Sequence, residues 1–313
     1  MKILIDAFQA STLILAAPLV RGTVARLKAL LQKRQGATVW RPYSELLKLF
    51  RKEELIPPTS SAVFRIAPVA SFAAILSATA FIPVVHSSAL IAWRGDFFVL
   101  VYLLALGRFF LSIGALDGGS AFGGMGASRE ALISSLAEAP FLLGLTAIAI
   151  LSSRADVAGI VLWTLQQNFF NISTVHILAF AALVMVALAE TGRMPVDNPT
   201  THLELTMIHE GMVLEYSGPS LAFIEWASAI KLHIMIALLI ALFAPWGIST
   251  GGSWASVAIA LPFYVLKVGV AALLLSIIES AVAKLRMYLV PDFLGVAAAL
   301  SALAVIFTIW AKR

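Results

Sequence analysis

The sequence predicts an all-α integral membrane protein with eight transmembrane helices and an amphipathic cytoplasmic helix after the first span. Hydrophobic residues make up 60% of the 313 positions and charged residues only 12%, whereas soluble domains carry roughly a quarter charged residues. Apolar segments of about 20 residues, enough to cross a hydrocarbon core of about 30 Å, recur along the chain. No hydrophilic stretch is long enough to fold alone, so we expect a single membrane domain over residues 1–313.

Eight segments have the length and composition of membrane spans. They are residues 3–25, 62–85, 97–116, 131–151, 174–188, 227–246, 254–278 and 293–310. The fifth segment is the shortest. Trp93, Trp246, Trp254 and Trp310 fall near predicted span ends, where tryptophan anchors a helix at the membrane interface.

Lysine and arginine set the expected orientation, because cytoplasmic loops carry an excess of both. The first loop holds Arg21, Arg26, Lys28, Lys33, Arg34, Arg41, Lys48, Arg51 and Lys52. The loops expected on the opposite side offer mainly Arg94 and Arg154. We therefore expect a multi-pass protein of the bacterial or archaeal cytoplasmic (inner) membrane, with both termini outside and the odd-numbered loops in the cytoplasm.

Composition argues against several classes of function. The net charge of +5 comes from basic residues beside apolar spans, where they meet the lipid bilayer, so no nucleic-acid partner is expected. The chain has no cysteine, so no cysteine-ligated iron–sulfur cluster, nickel centre or zinc site can reside in it. The two halves share no matching interrupted helices, which disfavours an autonomous ion transporter built from inverted repeats and leaves it as an alternative.

The first loop contains an amphipathic segment. Pro42 can open a helix, and PYSELLKLFRKEEL then places Leu46, Leu47, Phe50 and Leu55 near one side. The segment is too short and too charged to cross the membrane. We expect it to lie in the headgroup plane with its charged face open to a soluble partner, and lipid binding alone is the simpler alternative.

The third loop is glycine-rich, in the segment GALDGGSAFGGMGASREALISSLAEAP, where Ser128 is a candidate N-cap of the fourth span. The segment lacks the Lys-Ser/Thr ending of a phosphate-binding loop, so no nucleotide is expected there. Glu138 lies about two turns into the span. A carboxylate at that depth is a candidate functional group, with structural pairing as the alternative.

The fifth loop, ETGRMPVDNPTTHLELTMIHEGMVLEYSG, brings carboxylates and histidines together beside the membrane. Such groups can hold protons or hydrate a polar channel, and histidine titrates near physiological pH. The alternative is a solvated loop whose charges only keep it out of the bilayer. HLELTMIHE lacks the i, i+4 histidine pair of a zinc protease, and no metal site is expected.

Together with Lys267 in the seventh span, these observations give a candidate proton or ion path of ten residues. They are Glu138, Glu190, Asp197, His202, Glu204, His209, Glu210, Glu215, Lys267 and Glu279. For Lys267, snorkelling or a static ion pair is the alternative. No catalytic residue is expected in this chain.

Two stretches resemble the complex I subunit 1 family. KRQGATVWRPYSELLKLFRKEELIP followed by FRIAP is similar to that family's first-loop signature, and the fifth loop is similar to its acidic loop ending in EYSG. The variant DNPTTHLELTMIHE is most similar to hydrogenase-4 component C and the formate hydrogenlyase membrane subunit. Ala37 and Arg41 depart from the family, which commonly has proline and glutamine at these positions.

The resemblance implies a membrane anchor and coupling subunit that links the redox chemistry of a cytoplasmic arm to proton or sodium translocation. Implied partners are hydrogenase-like large and small subunits, an iron–sulfur subunit and antiporter-like membrane subunits, with iron–sulfur clusters and a [NiFe] centre in those partners only. The alternative is the quinone-site subunit of a complex I-like NADH or ferredoxin dehydrogenase. The residues implied for arm docking or a quinone-like pocket are Arg34, Gly36, Trp40, Arg41, Tyr43, Lys48, Lys52, Glu53, Arg129 and Arg193.

Overall fold

A computed structural model describes residues 2–167, 173–197 and 207–311 of the chain. These residues form eleven α-helices: α1 (Lys2–Leu31), α2 (Arg41–Phe50), α3 (Ala62–Ala78), α4 (Asp96–Asp117), α5 (Ala121–Ser152), α6 (Val157–Gln166), α7 (Thr174–Glu190), α8 (His209–Val213), α9 (Gly218–Phe243), α10 (Trp254–Ala281) and α11 (Val290–Ala311). Short 3-10 turns follow α3 (Thr79–Phe81) and precede α11 (Met287–Leu289).

Seven helices in the described part of the chain are long and apolar enough to cross a membrane: α1, α3, α4, α5, α9, α10 and α11. The all-α membrane class is therefore confirmed. The fifth predicted span corresponds to α7, an apolar helix of 17 residues that is shorter than the others. The count of eight spans remains a prediction.

The glycine-rich segment predicted as the third loop is helical, which corrects the expected start of the fourth span. Ser120, rather than Ser128, caps α5 by accepting a hydrogen bond from the amide of Gly123. Gly126 serves close packing instead of a loop. A Cβ at Gly126 would lie 2.8 Å from the Ile208 carbonyl oxygen, so glycine lets α5 approach the segment that leads into α8.

Proline inside α1 shapes the contact between α1 and its neighbours. Pro18 has no amide hydrogen to donate to the Ile14 carbonyl one turn earlier, and such freed groups need a new partner inside a membrane. Trp226 of α9 supplies it, because its indole Nε1 donates to Ile14 O at 3.2 Å. One residue further on, the Tyr43 hydroxyl of α2 donates to Leu15 O at 2.5 Å. This hydrogen bond holds α2 against α1 next to Pro18.

The helices pack around α9, which is the most enclosed of the long helices. α3 pairs with α4, α11 lies across α5 and α7, and α1 packs between α9 and α10. α10 and α11 expose most of their apolar side chains, as expected where lipid replaces protein as the neighbour.

The connecting segments meet at two opposite faces of the bundle. On the face that carries α2, the Leu55 amide donates to the Ser217 hydroxyl at 2.8 Å. On the opposite face, the Ser87 amide donates to Ser249 O at 2.9 Å. The described parts of the predicted odd-numbered loops therefore gather on one face, called the α2 face below, and those of the other loops gather on the opposite face.

Candidate functional site

A charged cavity of 410 Å³ lies on the α2 face between α1, α2 and α9. The Arg21 guanidinium of α1 forms an ion pair with the Glu225 carboxylate of α9 in its wall. Lys48 of α2 and Glu210 of α8 line the same space, together with aliphatic side chains such as Leu49. This space is called the docking-side cavity below.

The segment that leads into α2 lies directly against α1, because residue 22 of α1 is glycine. A Cβ at Gly22 would overlap the carbonyl oxygen of Val39 and would touch the Pro42 ring. The backbone of residues 39–42 therefore occupies the volume that any other side chain at position 22 would need. This contact fixes the amphipathic helix against the first span.

The first buried ion-pair network joins three helices around Glu190. Arg108 Nη1 of α4 lies 2.8 Å from Glu190 Oε1, and Lys231 Nζ of α9 lies 3.0 Å from Glu190 Oε2. The Glu190 side chain is only 1% exposed. Charges this deep need partners, because an unpaired charge in a low-dielectric interior is costly.

A small cavity of 50 Å³ adjoins this network. Its lining includes Glu190, Lys231, Arg108, Glu130 and His209, and its volume is enough for roughly one or two water molecules. The cavity therefore holds two acids, two bases and a histidine around a space large enough for water. It is called the inner cavity below.

The second network has the same composition around Glu279 of α10. Arg193, in the segment after α7, places Nη1 2.8 Å from Glu279 Oε1. Lys28, near the end of α1, places Nζ 3.0 Å from Glu279 Oε2. One carboxylate thus ties together three parts of the chain on the α2 face.

A further ion pair on the α2 face lies near the start of α8. Lys284 Nζ lies 3.0 Å from Asp197 Oδ1, and Asp197 Oδ2 accepts a hydrogen bond from the His209 amide at 3.2 Å. Asp197 therefore holds the start of α8 to the segment that follows α10.

The short helix α8 separates the two cavities. His209, its first residue, lines the inner cavity, whereas the next residue, Glu210, lines the docking-side cavity. His209 also interacts electrostatically with Glu225 in the wall of the docking-side cavity. A change of charge at α8 therefore alters the electrostatic potential in both cavities.

Two tyrosines on the α2 face have unusual environments. Burial, reinforced by the negative charge of Asp117, raises the pKa of the Tyr216 phenol above its ordinary value. Tyr216 stacks on Phe64 with ring centroids 4.1 Å apart, and its hydroxyl fits against Gly114. Burial also raises the pKa of Tyr43. Both phenols are therefore neutral at physiological pH.

Among the predicted docking residues, the structure separates inner from outer positions. Arg193 is part of the Glu279 network, and Arg129 donates to Met207 O at 3.1 Å. Tyr43 holds α1, and Lys48 lines the docking-side cavity. The remaining six are surface positions of the first loop and α2, with Gly36 packed close to α1 and Arg41 paired with Glu45: Arg34, Gly36, Trp40, Arg41, Lys52 and Glu53.

Five of the ten predicted path residues meet in or beside the buried networks: Glu190, Asp197, His209, Glu210 and Glu279. Glu138 instead lines a cleft on the α4 and α5 flank, and Glu215 is exposed. Lys267 donates to Ala244 O at 2.7 Å and to Trp246 O, so it caps the carbonyl end of α9. His202 and Glu204 lie outside the described residues.

Sequence reasoning missed both basic members of the Glu190 network as site residues. Arg108 lies within the third predicted span, and Lys231 near the start of the sixth. The rule that marks an intramembrane carboxylate as a functional candidate applies equally to an intramembrane arginine or lysine. Applied evenly, it would have found both residues, although it could not have shown that they share Glu190.

The fold and these networks define a multi-pass membrane protein that holds ion pairs inside its helix bundle. The sequence profile of the NADH dehydrogenase family matches residues 5–310, so the chain belongs to that family, as the resemblance of its loops predicted. It is 32% identical to hydrogenase-4 component C of Escherichia coli (strain K12), over 96% of this chain and 93% of that protein. It is 31% identical to formate hydrogenlyase subunit 4 of the same strain, over 93% and 94% of the two chains.

A solved structure has the same architecture. A chain of the membrane-bound sulfane sulfur reductase, an archaeal respiratory membrane complex, superposes with a TM-score of 0.81 at 19% identity. The superposition covers 98% of this chain and all of that one. At this level of identity, the likeness shows a shared fold.

Proposed function

We propose that this chain is the membrane anchor and coupling subunit of a hydrogenase-4- or formate hydrogenlyase-like complex. Two relatives that are similar along nearly their whole length carry those names, which supports the assignment. In this proposal the α2 face is cytoplasmic and receives an arm of hydrogenase-like and iron–sulfur subunits. Antiporter-like subunits lie beside the chain in the membrane. The redox centres belong to the arm, since this chain has no cysteine.

The observation that carries the coupling role is the position of α8 between the two cavities. Glu210 faces the side where the arm would sit, and His209 faces the Glu190 network. Electrostatic interactions are strong where water is scarce, so a proton gained or lost at one cavity changes the field in the other. A redox step in the arm can therefore alter the protonation of buried groups without direct contact.

The Glu190 network has the composition needed to respond to such a change. Its carboxylate is shared by two cations, Arg108 and Lys231. His209 lines the same cavity as Lys231 and Glu190, so a charge placed at α8 acts on both partners of that contact. The division of Glu190 between its two partners therefore depends on the charge at α8. In this proposal, the chain takes part in ion movement by holding and releasing a proton at the groups that line the inner cavity.

The test is the His209→Gln variant of the whole complex, reconstituted in proteoliposomes. Glutamine keeps hydrogen-bonding capacity but cannot take up a proton. We expect the complex to assemble and reduce an artificial acceptor at the normal rate, while ion-gradient formation falls by about 100-fold or more, as for the loss of a positioned acid–base group. Asp292→Asn, at an exposed carboxylate outside the candidate path, is the matched control. Normal gradients in the His209 variant would contradict the coupling role.

The volume of the docking-side cavity favours a second candidate function, quinone binding. A space of 410 Å³ with both aliphatic and charged lining is within the size range of cofactor pockets. Leu49→Trp would fill the cavity from α2. If a quinone binds there, this variant abolishes the binding of a short-chain quinone to the purified complex. Binding that is unchanged in the variant, or missing in the parent complex, contradicts the quinone function.

A further inference from the structure

The cleft on the flank of α4 and α5 is remote from the ion-pair networks. Its volume is 570 Å³. The α4 wall presents Phe98, Tyr102, Leu106 and Phe109, whose spacing of four, four and three residues puts them on one helix face. All four side chains are substantially exposed. The cleft is thus an apolar, largely aromatic groove on the outside of the bundle.

One carboxylate interrupts this apolar surface. Glu138 of α5 is the only charged side chain among the described residues that line the cleft. It makes no ion pair and no hydrogen bond to the part of the chain that the structure describes. Glu190 and Glu279, which are buried inside the bundle, each have two basic partners.

Glu138 lies at the depth of the bilayer interior. α4 has 22 residues and is about 33 Å long, close to the thickness of the hydrocarbon core. The cleft residues Tyr102 and Leu106 are near the middle of α4, and Glu138 faces them. A bilayer is hydrocarbon at this depth, where an uncovered carboxylate is costly, so the groove favours a molecule that covers Glu138.

We propose that the cleft is the binding site for a transmembrane helix of a second membrane subunit, and that this helix places a basic side chain against Glu138. The proposal rests on the proposed function, because it requires a complex with other membrane subunits. Lipid chains match the aromatic wall but have no hydrogen-bond donor for a carboxylate. A second copy bound through the same cleft would bring two Glu138 side chains to one interface, where like charges repel.

The groove also fits a helix in shape. Exposed ridges at four- and three-residue spacing accept the side chains of a neighbouring helix. A basic residue inside the membrane would meet a charge of opposite sign in an apolar surrounding, where such a contact specifies depth and register as well as partner. Glu138 is therefore the specificity-determining residue of this interface.

The test is photo-crosslinking from position 102 in the intact complex in its own membrane. Tyr102→p-benzoylphenylalanine keeps an aromatic ring at an exposed position and leaves Glu138 unchanged. We expect crosslinks to one apolar segment of another subunit, located by mass spectrometry, with a lysine or arginine within about one helical turn of the crosslinked residue. The control probe replaces Phe263 of α10, an exposed position where lipid crosslinks are expected. Crosslinks from position 102 only to lipid, or to a second copy, would overturn the proposal.

A pair of variants tests the charge itself. Glu138→Leu should lower the amount of the crosslinked subunit that co-purifies by about tenfold or more, as for a buried pair that loses one member. Glu138→Gln, which keeps a hydrogen-bond acceptor, should lower it less, and Ser135→Ala on the same helix should not change it. Retention of that subunit by a folded Glu138→Leu chain would overturn the proposal. If Glu138→Leu does not fold, the crosslink from position 102 decides alone.

The outcome separates this proposal from the coupling role. Lipid crosslinks in a complex that retains its peripheral arm reject the interface and leave the coupling role untouched. A complex in which the arm does not co-purify rejects the coupling role, whatever position 102 contacts.

Discussion

Arg193 and Glu279 lie 86 positions apart in the sequence and form a 2.8 Å ion pair on the α2 face. Glu279 uses its second oxygen for Lys28, so a single carboxylate joins the first span, the segment after α7 and the end of α10. All three side chains are largely buried. The α2 face is therefore held together by charge as well as by apolar packing.

Removing Glu279 should destabilise the protein more than removing either of its partners. Glu279→Leu leaves both Arg193 and Lys28 without a counter-charge, at a cost of about 3–5 kcal/mol. Lys28→Met should cost less, because Glu279 keeps Arg193. Thermal unfolding in detergent checks this ranking, with the exposed Glu215→Gln expected to change stability by less than about 0.5 kcal/mol. Equal losses for Glu279→Leu and Lys28→Met would contradict the shared-carboxylate arrangement.

Alkaline stability should depend on Tyr216. Burial, with a contribution from Asp117, raises its pKa in the folded state above the unfolded value, which is about 10. The stabilising effect of the neutral phenol is therefore complete below about pH 10 and declines as the pH rises further. Tyr216→Phe should unfold less steeply with rising pH above that point and should match the parent protein at pH 7. An unchanged alkaline limb in Tyr216→Phe would show that another group controls the transition.

The fold class was readable from the sequence because lipid imposes two strong constraints, apolar length and internal hydrogen bonding. The start of α5 was not. Glycines at positions 123, 124 and 126 resemble a loop in sequence, yet they lie in α5, where the small size of Gly126 allows close contact with Ile208 before α8. Glycine in a membrane helix can mark close packing with a neighbouring segment, which the local sequence does not distinguish from a turn.

The candidate site was readable in part. The acidic members Glu190 and Glu279 were identifiable because a carboxylate near a span needs an explanation. Their pairing with Arg108 and Lys28 depends on which helices are adjacent, and no local pattern specifies that. Lys267 shows the opposite case. Its position inside the seventh predicted span suggested an ion path. The structure shows instead that Lys267 donates to a carbonyl oxygen just after the end of α9, a contact that the sequence of one span cannot show.

The topology prediction can be tested with single cysteines, since the chain has none of its own. Ser44→Cys on α2 and Gly252→Cys before α10 are both at exposed positions on opposite faces. A membrane-impermeant maleimide added to intact cells should label position 252 at once and position 44 only after the membrane is opened. Labelling of both from outside would contradict the predicted crossing pattern, and the reverse order would place the α2 face outside.

The contact between Gly22 and Val39 gives the last prediction. In a helix, replacing glycine by alanine ordinarily stabilises by about 0.5–1 kcal/mol. Gly22→Ala should do the reverse, because the added methyl would overlap the Val39 carbonyl oxygen and force residues 39–42 away from α1. Gly269→Ala in α10 is the matched control, with no neighbour within 4 Å of the added atom, and should be neutral or stabilising. Limited proteolysis between α1 and α2 measures the displacement. Faster cleavage in Gly22→Ala, with no change in Gly269→Ala, would show that this one glycine seats the amphipathic helix, whereas equal cleavage in both would mean that Tyr43 and Leu15 hold it without help.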